Sequence, residues 1–308
     1  MTVAVDEAAV IGACAALGRR LGLGRVAPRV IGRFSNLALA LEPTPWVARV
    51  VTGTAGPRAA PAWAAREIAL ARALHDRGAP VGAPAPGVLA GPHDEAGWRI
   101  TLWQGLDLTG VAPAPQAAGR ALAACHAALA EVPTRLASDL PAPAPWAPLD
   151  EAAALLSHPV VRQRAGRDVV DEVAGQLARV GARLRDHPAS SQWLHGDAQI
   201  NNVRTGRDGV VRWLDWEDAC RGPLEWDLAG LVGVGRVLGG AEASWAESAL
   251  AGWRASGPAI DDDLLDACVE ARALFVVAWT WWLGPERPDR RERLAARLAW
   301  LRQRAAAA

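Results

Sequence analysis

The stretch from Trp193 to Gly230, WLHGDAQINNVRTGRDGVVRWLDWEDACRGPLEWDLAG, constrains this chain more than any other. It reads strand, loop, strand, loop, and its polar residues gather where apolar runs stop. Leu194 leads into His195-Gly196-Asp197, and Asn202 follows the aspartate by five residues. Thr205 to Gly209 is a turn rich in glycine and aspartate. Val210, Val211, Trp213 and Leu214 make a second short apolar strand that ends at Asp215. The turn pairs the two strands as a hairpin, so Asn202 and Asp215 return to the same end. A carboxamide and a carboxylate meeting there are hard oxygen ligands, of the kind magnesium takes beside the phosphates of a nucleotide. Asp197 is left to orient or deprotonate a hydroxyl. A His-x-Asp arrangement also serves metal-dependent hydrolases, but no second histidine-rich cluster completes such a site. His75-Asp76-Arg77-Gly78 reads as a helix end closed by glycine, and His93 to Gly97 as a hairpin turn.

These residues resemble the aminoglycoside phosphotransferase-like kinases, the small-molecule branch of the protein-kinase fold. The resemblance rests on His195-Gly196-Asp197, Asn202, Leu214-Asp215-Trp216-Glu217, and the later Gly-Pro-x-x-Trp-Asp-Leu-Ala element from Gly222 to Ala229. It implies an α+β, bilobal, protein-kinase-like fold with a small β-rich amino-terminal lobe and a larger, mainly helical carboxy-terminal lobe. It also implies roles: Asp197 as the catalytic residue, Asn202 and Asp215 as magnesium ligands, His195 as a brace of the catalytic loop. Asp227 is similar to the family's structural aspartate, which hydrogen-bonds the backbone of that loop.

The amino-terminal third fits such a lobe. Residues 3–20 have helical spacing and end near Gly22 and Gly24. Strands are expected over Arg29–Ile31, Leu37–Leu41 and Trp46–Val51, and a helix over 61–76 with Pro61 near its start. The resemblance places the first turn over the nucleotide phosphates, where Ser35 and Asn36 supply polar groups. It puts Arg49 in the position of the lysine that holds the α- and β-phosphates, oriented by Glu67. The departure matters, because arginine is a wider and less adjustable cation than lysine. Two further strands are expected near Gly87–Ala90 and Trp98–Leu102. The resemblance then makes Trp103-Gln104-Gly105 the hinge, whose backbone would read the adenine edge. The lobes are accordingly 1–103 and 104–308. In the second, helices are expected over 116–130, 149–157, 160–185, 226–236, 241–254, 261–283 and 288–303, with a Pro/Ala connector over Leu140–Pro148. The terminal alanines Ala305–Ala308 are expected to fray.

At 308 residues the chain is long enough for two lobes. Half of it, 51%, is hydrophobic, and formal net charge is zero, so nothing draws it to nucleic acid or to a membrane surface. It contains no lysine, so all 33 basic residues are arginines. The four cysteines are widely spaced with no CxxC pair, and Asp6 and Glu7 stand where a secretory signal carries positive charge. Both features lead us to expect a reduced, cytoplasmic protein. The longest apolar run, Ala273 to Leu283, is shorter than the roughly 20 residues that span a bilayer.

The implied activity is an ATP- or GTP- and Mg2+-dependent transfer of a phosphoryl group to a hydroxyl of a small molecule. An antibiotic of the aminoglycoside type is the acceptor expected first. From Glu225 to Glu270 there are nine acidic residues against two arginines, a stretch that would attract a polycation, although Asp261 to Asp263 also read as a helix cap. Ten of the 15 tryptophans lie from Trp193 onward, as core or as the lining of a pocket. The alternatives are a metabolite kinase acting on choline, homoserine, a sugar or a ketoamine, and a nucleotide-binding pseudokinase. No segment ending in Ala-Pro-Glu follows Asp215, which argues against a protein kinase.

Overall fold

A computed structural model describes every residue except 1–4, 55, 57, 59, 137–139, 141–142, 286–287 and 308. The chain forms two compact units. The first comprises Met1–Val111, Arg135–Pro141 and Arg204–Glu217; the second comprises Ala112–Thr134, Ala142–Val203 and Asp218–Ala308.

The first unit opens with α1 (Glu7–Arg20), started by Asp6, whose carboxylate accepts the Ala9 N–H at 3.1 Å. Strands β1 (Ala27–Arg33), β2 (Leu37–Glu42) and β3 (Trp46–Val50) follow, then α2 (Pro61–Asp76), β4 (His93–Glu95) and β5 (Trp98–Gln104). The sheet is antiparallel throughout, in the order β1-β2-β3-β5-β4. Period-two alternation buries Leu37, Leu39 and Leu41 on one face of β2. With Ala48, Val50, Ile100 and Leu102 they pack on Val10, Cys14 and Leu17 of α1. Ile31 is the extra residue of a bulge, since Val30 pairs with Leu39 but Gly32 with Ala38.

Two expectations fail in this unit. Gly87–Ala90 is a single 3-10 turn and no strand, because it follows the fixed φ of Pro86 and has no partner strand; Val88 stands 86% exposed. The missing strand is β4, inside the stretch read as turn. The turn proper is only Ala96-Gly97, so pairing begins directly at Glu95 and Trp98.

The second unit takes α3 (Pro115–Ala130), α4 (Ala147–Ser157), α5 (Pro159–Ala165), α6 (Arg167–Arg185) and β6 (Gln192–Leu194). The chain next forms the hairpin β7 (Val203–Thr205) and β8 (Val211–Trp213). It then makes β9 (Cys220–Gly222), α7 (Leu224–Leu238), α8 (Ala241–Arg254), α9 (Asp262–Leu283) and α10 (Pro288–Ala307). One long helix was expected over 160–185. It is two, because Gly166 adopts φ 84° and ψ 147°, which no helix accommodates. α10 continues through Ala307, and of the Pro/Ala connector residues 141–142 lie outside the described residues.

Most of the hairpin belongs to the first unit because hydrogen bonds stitch it there. Trp213 N–H donates to Pro80 O at 2.9 Å, Thr109 N–H to Thr205 O at 3.0 Å, and Arg207 N–H to Asp107 O at 2.8 Å. In the second unit α9 is buried along most of its length against α4, α6, α7 and α10. The tryptophans mainly fill core: Trp193, Trp213, Trp216, Trp226 and Trp253 are fully buried. All four cysteines are buried and free, and burial pushes the Cys14 thiol up to about 12. Among the described residues no helix is long and apolar enough to cross a membrane.

Candidate functional site

Two clusters of buried and half-buried polar residues hold most of the residues singled out in the sequence. The first surrounds Arg49 on β3. Its Nη1 donates to Glu67 on α2 at 2.9 Å, and its Nη2 lies 2.8 Å from Asp215 and 2.6 Å from Glu217. Arg58 stands 3.6 Å from the other oxygen of Glu217. Burial alone would weaken the Arg49 guanidinium, yet Asp215, Glu217 and Glu67 outweigh it and hold it well above its ordinary value. Two guanidiniums thus face three carboxylates. Asp215 is also in the left-handed region at φ 64°, a conformation that costs a residue with a Cβ free energy.

Ser35 and Asn36, expected to supply polar groups over the phosphates, lie in the turn before β2. Asn36 is 4% exposed. Its amide donates to Glu217 at 2.9 Å, and its carbonyl accepts from Thr52 N–H and Thr54 Oγ1 at 2.9 and 3.1 Å. Ser35 is half-buried, and its carbonyl accepts from Gly53 N–H at 2.8 Å. At the expected hinge, Gln104 N–H is occupied by Ala83 O at 2.9 Å and Gly105 N–H by Pro45 O at 2.7 Å. Trp103 donates its Nε1–H to Thr101 at 2.8 Å, and the Gln104 side chain is exposed.

The second cluster grows from β6, which pairs with β9 and delivers the chain into His195-Gly196-Asp197. Asp227 on α7 accepts the backbone N–H groups of His195 and Gly196 at 2.7 and 2.8 Å. His126 Nε2 lies 2.9 Å from the same carboxylate, and Trp253 Nε1–H donates to His126 Nδ1 at 3.0 Å. An indole can only donate, so the ring proton sits on Nε2 and His126 donates to Asp227. Burial works against the Asp227 carboxylate, but His126 and the His195 backbone hold it below the ordinary range. His195 is buried, and its Nδ1 accepts the Asp197 N–H at 3.3 Å. Gly196 is obligatory here: at φ 83°, a Cβ would lie 1.8 Å from Asp218 O.

Asp197 is held by three donors. Arg272 Nη2 on α9 meets Oδ1 at 2.7 Å; Gln199 Nε2 and Asn202 Nδ2 meet Oδ2 at 2.7 and 2.9 Å. Burial opposes the charge of Asp197, but Arg272, then Gln199 and His195, keep its carboxyl below the ordinary range. Asn202 also donates to the Asp197 backbone carbonyl at 2.9 Å, which leaves its Oδ1 as a hard acceptor. Sequence reasoning missed Arg272, Gln199 and Arg58, and named Glu217 without giving it a partner. Arg272 had a signal: a single arginine inside the apolar run of α9 must be paired if it is buried.

The acidic stretch from Glu225 to Glu270 is not an uncompensated patch. Glu242 pairs with Arg293, Glu247 with Arg236, Asp262 with Arg254, and Asp266 and Glu270 with Arg304. Glu225 accepts the Asp261 N–H, and Asp261 caps α9. Two of those arginines, Arg293 and Arg304, lie beyond the window in which the charge was counted. Among the described residues no three His, Cys, Asp or Glu side chains gather as metal ligands. A magnesium ion needs no such cage, since it takes one or two protein oxygens and completes its shell with water and phosphate.

A mixed α+β chain with a cation-bearing antiparallel sheet and a braced His-Gly-Asp loop has the make-up of a small-molecule kinase. The profile of the phosphotransferase enzyme family (APH) matches residues 29–265, so the chain belongs to that family. No curated protein sequence matches it. Among solved structures it is similar to the amicoumacin kinase hAmiN in complex with AMP-PNP, Ca2+ and Ami, at 12% identity and TM-score 0.68, over 90% of this chain and 88% of that one. Choline kinase LicA from Streptococcus pneumoniae aligns at 15% identity and TM-score 0.63, over 94% and 98%. The aminoglycoside phosphotransferase APH(3'')-Id from Streptomyces rimosus, in complex with ADP and streptomycin, aligns at 17% identity and TM-score 0.59, over 88% and 99%. At these identities the likeness is one of fold.

Proposed function

We propose that the chain transfers the γ-phosphoryl group of ATP or GTP to a hydroxyl of a small molecule, with residues 1–103 serving the nucleotide and 104–308 the acceptor. The observation that carries this reading is the Asp197 carboxylate, fixed by donors from Arg272, Gln199 and Asn202. In the transfer the acceptor oxygen bonds to the γ-phosphorus, the bond to the bridging oxygen breaks, and the nucleoside diphosphate leaves. The hydroxyl proton passes to Asp197. Because Asp197 is held below the ordinary carboxylate range, it is a weak base, suited to aligning the hydroxyl and taking its proton late.

Arg49 would hold phosphate oxygens, with Glu67 orienting it. The turn at Ser35 and Asn36 would offer its backbone, since the Asn36 side chain is spent internally. Trp103 and Gln104 would border the base. Asn202 and Asp215 would hold magnesium, which supplies charge neutralisation on the phosphates when bound. His195 and Asp227 would keep the loop in shape. Nucleotides in hAmiN and APH(3'')-Id, and Ca2+ in the former, support the cofactor assignment.

An aminoglycoside-type antibiotic, and with it a role in antibiotic resistance, is the first acceptor class, supported by antibiotic kinases of the same fold. The ion pairs of the acidic stretch weaken its electrostatic support, and a metabolite kinase is the second reading. The test is magnesium-dependent nucleotide consumption on a panel of aminoglycosides, macrolides, choline, homoserine and sugars, with Asp197→Asn as control. Turnover of one compound that the variant slows by about a hundred- to ten-thousandfold, at unchanged nucleotide affinity, supports the reading and names the acceptor. Tight nucleotide binding without turnover on any compound sinks it in favour of a pseudokinase.

A further inference from the structure

An ionised carboxylate offers about four lone-pair positions. On Asp197, Oδ2 accepts from Gln199 and Asn202, and Oδ1 from Arg272. The position left for a hydroxyl is therefore on Oδ1, the oxygen that Arg272 holds. Arg272 in turn is fixed from several directions. Its Nη1 donates to Gly196 O. Its guanidinium carbon lies 5.3 Å from the Trp226 ring centroid and 5.6 Å from that of Phe275. It is 5% exposed and sits mid-helix in α9 between Ala271 and Ala273, so it cannot swing out to water. One side chain thereby ties α9 to the Gly196 carbonyl and the Asp197 carboxylate together.

We propose that Arg272 is a positioning residue for phosphoryl transfer: it sets the rotamer of Asp197 so that the open lone pair on Oδ1 faces the acceptor hydroxyl. The proposal rests on the reading of Asp197 given above. Neutral amides at Gln199 and Asn202 constrain only Oδ2, and without Arg272 the carboxylate is free to rotate about that side. The loss falls on the oriented transition state, so it appears in kcat and not in nucleotide affinity.

The test is a double-mutant cycle on the full chain with Arg272→Gln, Asp197→Asn and the double variant. Each is assayed for nucleotide turnover with the acceptor panel, and with water as acceptor where no compound is taken. Melting and nucleotide titration confirm folding. Arg272→Gln is expected to lower kcat by about tenfold or more, with acceptor KM and nucleotide Kd changing less than about threefold. Combined with Asp197→Asn it is expected to cost nothing further, because a residue that acts through another has no independent effect. Arg272→Lys, which keeps one donor and the charge, recovers part of the rate; it carries the test if Arg272→Gln does not fold. Equal losses in both backgrounds, or a lowered melting temperature with normal kcat, overturn the proposal. Full turnover in Asp197→Asn with a normal cycle partner overturns the reading of Asp197 itself, a separable result.

Discussion

Arg49, half-buried, and Arg272, buried, are both arginines held by carboxylates, and they are built in opposite senses. Arg49 has three carboxylates within 2.9 Å, whereas Arg272 has one carboxylate, one backbone carbonyl and two aromatic faces. The partners of Arg49 are also unequal. Glu67 is 2% exposed in its side chain and Asp215 is 31% exposed, so one is anchored and the other can be exchanged. A cation with more anions than it needs can trade one for a phosphate or let one turn to a metal. A cation with a single carboxylate partner cannot. On the proposed reading, the difference would separate a cluster suited to ligand exchange from one that holds a geometry.

Removing the shared cation breaks the first arrangement most severely. Arg49→Met leaves Glu67, Asp215 and Glu217 crowded without the cation they share, and should cost about 3–5 kcal/mol in a urea titration. Arg49→Lys should lose less, because it keeps the charge, yet its single ammonium cannot replace a fork that reaches three carboxylates. A loss below about 1 kcal/mol for Arg49→Met would mean that the acids find water or one another at little cost. In the second cluster the comparable break is in the backbone. Gly196→Ala puts a Cβ 1.8 Å from Asp218 O at φ 83°, so about 1–3 kcal/mol is expected from the backbone strain before any displacement of the loop. Turnover should fall with it, since the Gly196 carbonyl is where Arg272 is anchored.

Much of this was legible in the sequence, and the failures have causes. Strands β2 and β3 and helix α2 follow from local periodicity and from Pro61, and the His195-Gly196-Asp197 loop from its spacing to Asn202 and Asp215. What local reading could not supply were long-range partners. Arg272 meets Asp197 across 75 residues, and Asn36 meets Glu217 across 181. A charge sum over a window failed for the same reason, since Arg293 and Arg304 reach back to acids far earlier in the chain. Gly166 breaks a helix whose apolar spacing continues on both sides of it, so periodicity alone runs through the break.

A smaller effect sharpens what holds the loop in the second cluster. Asp227→Asn keeps an acceptor for one backbone N–H but loses the charge that His126 and the loop amides stabilise, so about 1–2 kcal/mol should be lost at neutral pH. The sign with pH follows from the depressed carboxyl of Asp227. Its folded value lies below the ordinary value near ~4, so its contribution is full above that value and fades as pH falls through the folded one. The variant should therefore converge on the parent protein in acid, read from melting temperatures across the acid range. A gap that stays constant down to the lowest pH would mean that packing, not charge, holds the loop.

The smallest effect concerns an ion pair with the same lengths and none of the burial. Arg29 Nη2 and Nε meet Glu42 at 2.7 and 3.0 Å across the β1–β2 pair, as short as the contacts of Arg49 and Arg272. Their side chains are 62% and 52% exposed, so water competes for both partners and salt screens what remains. Glu42→Gln should change stability by less than about 1 kcal/mol, and less again at high salt. A cost matching that of Arg49→Met would show that hydrogen-bond geometry alone sets the strength of these pairs. The small cost expected instead assigns the strength of the two clusters to their partial exclusion of water.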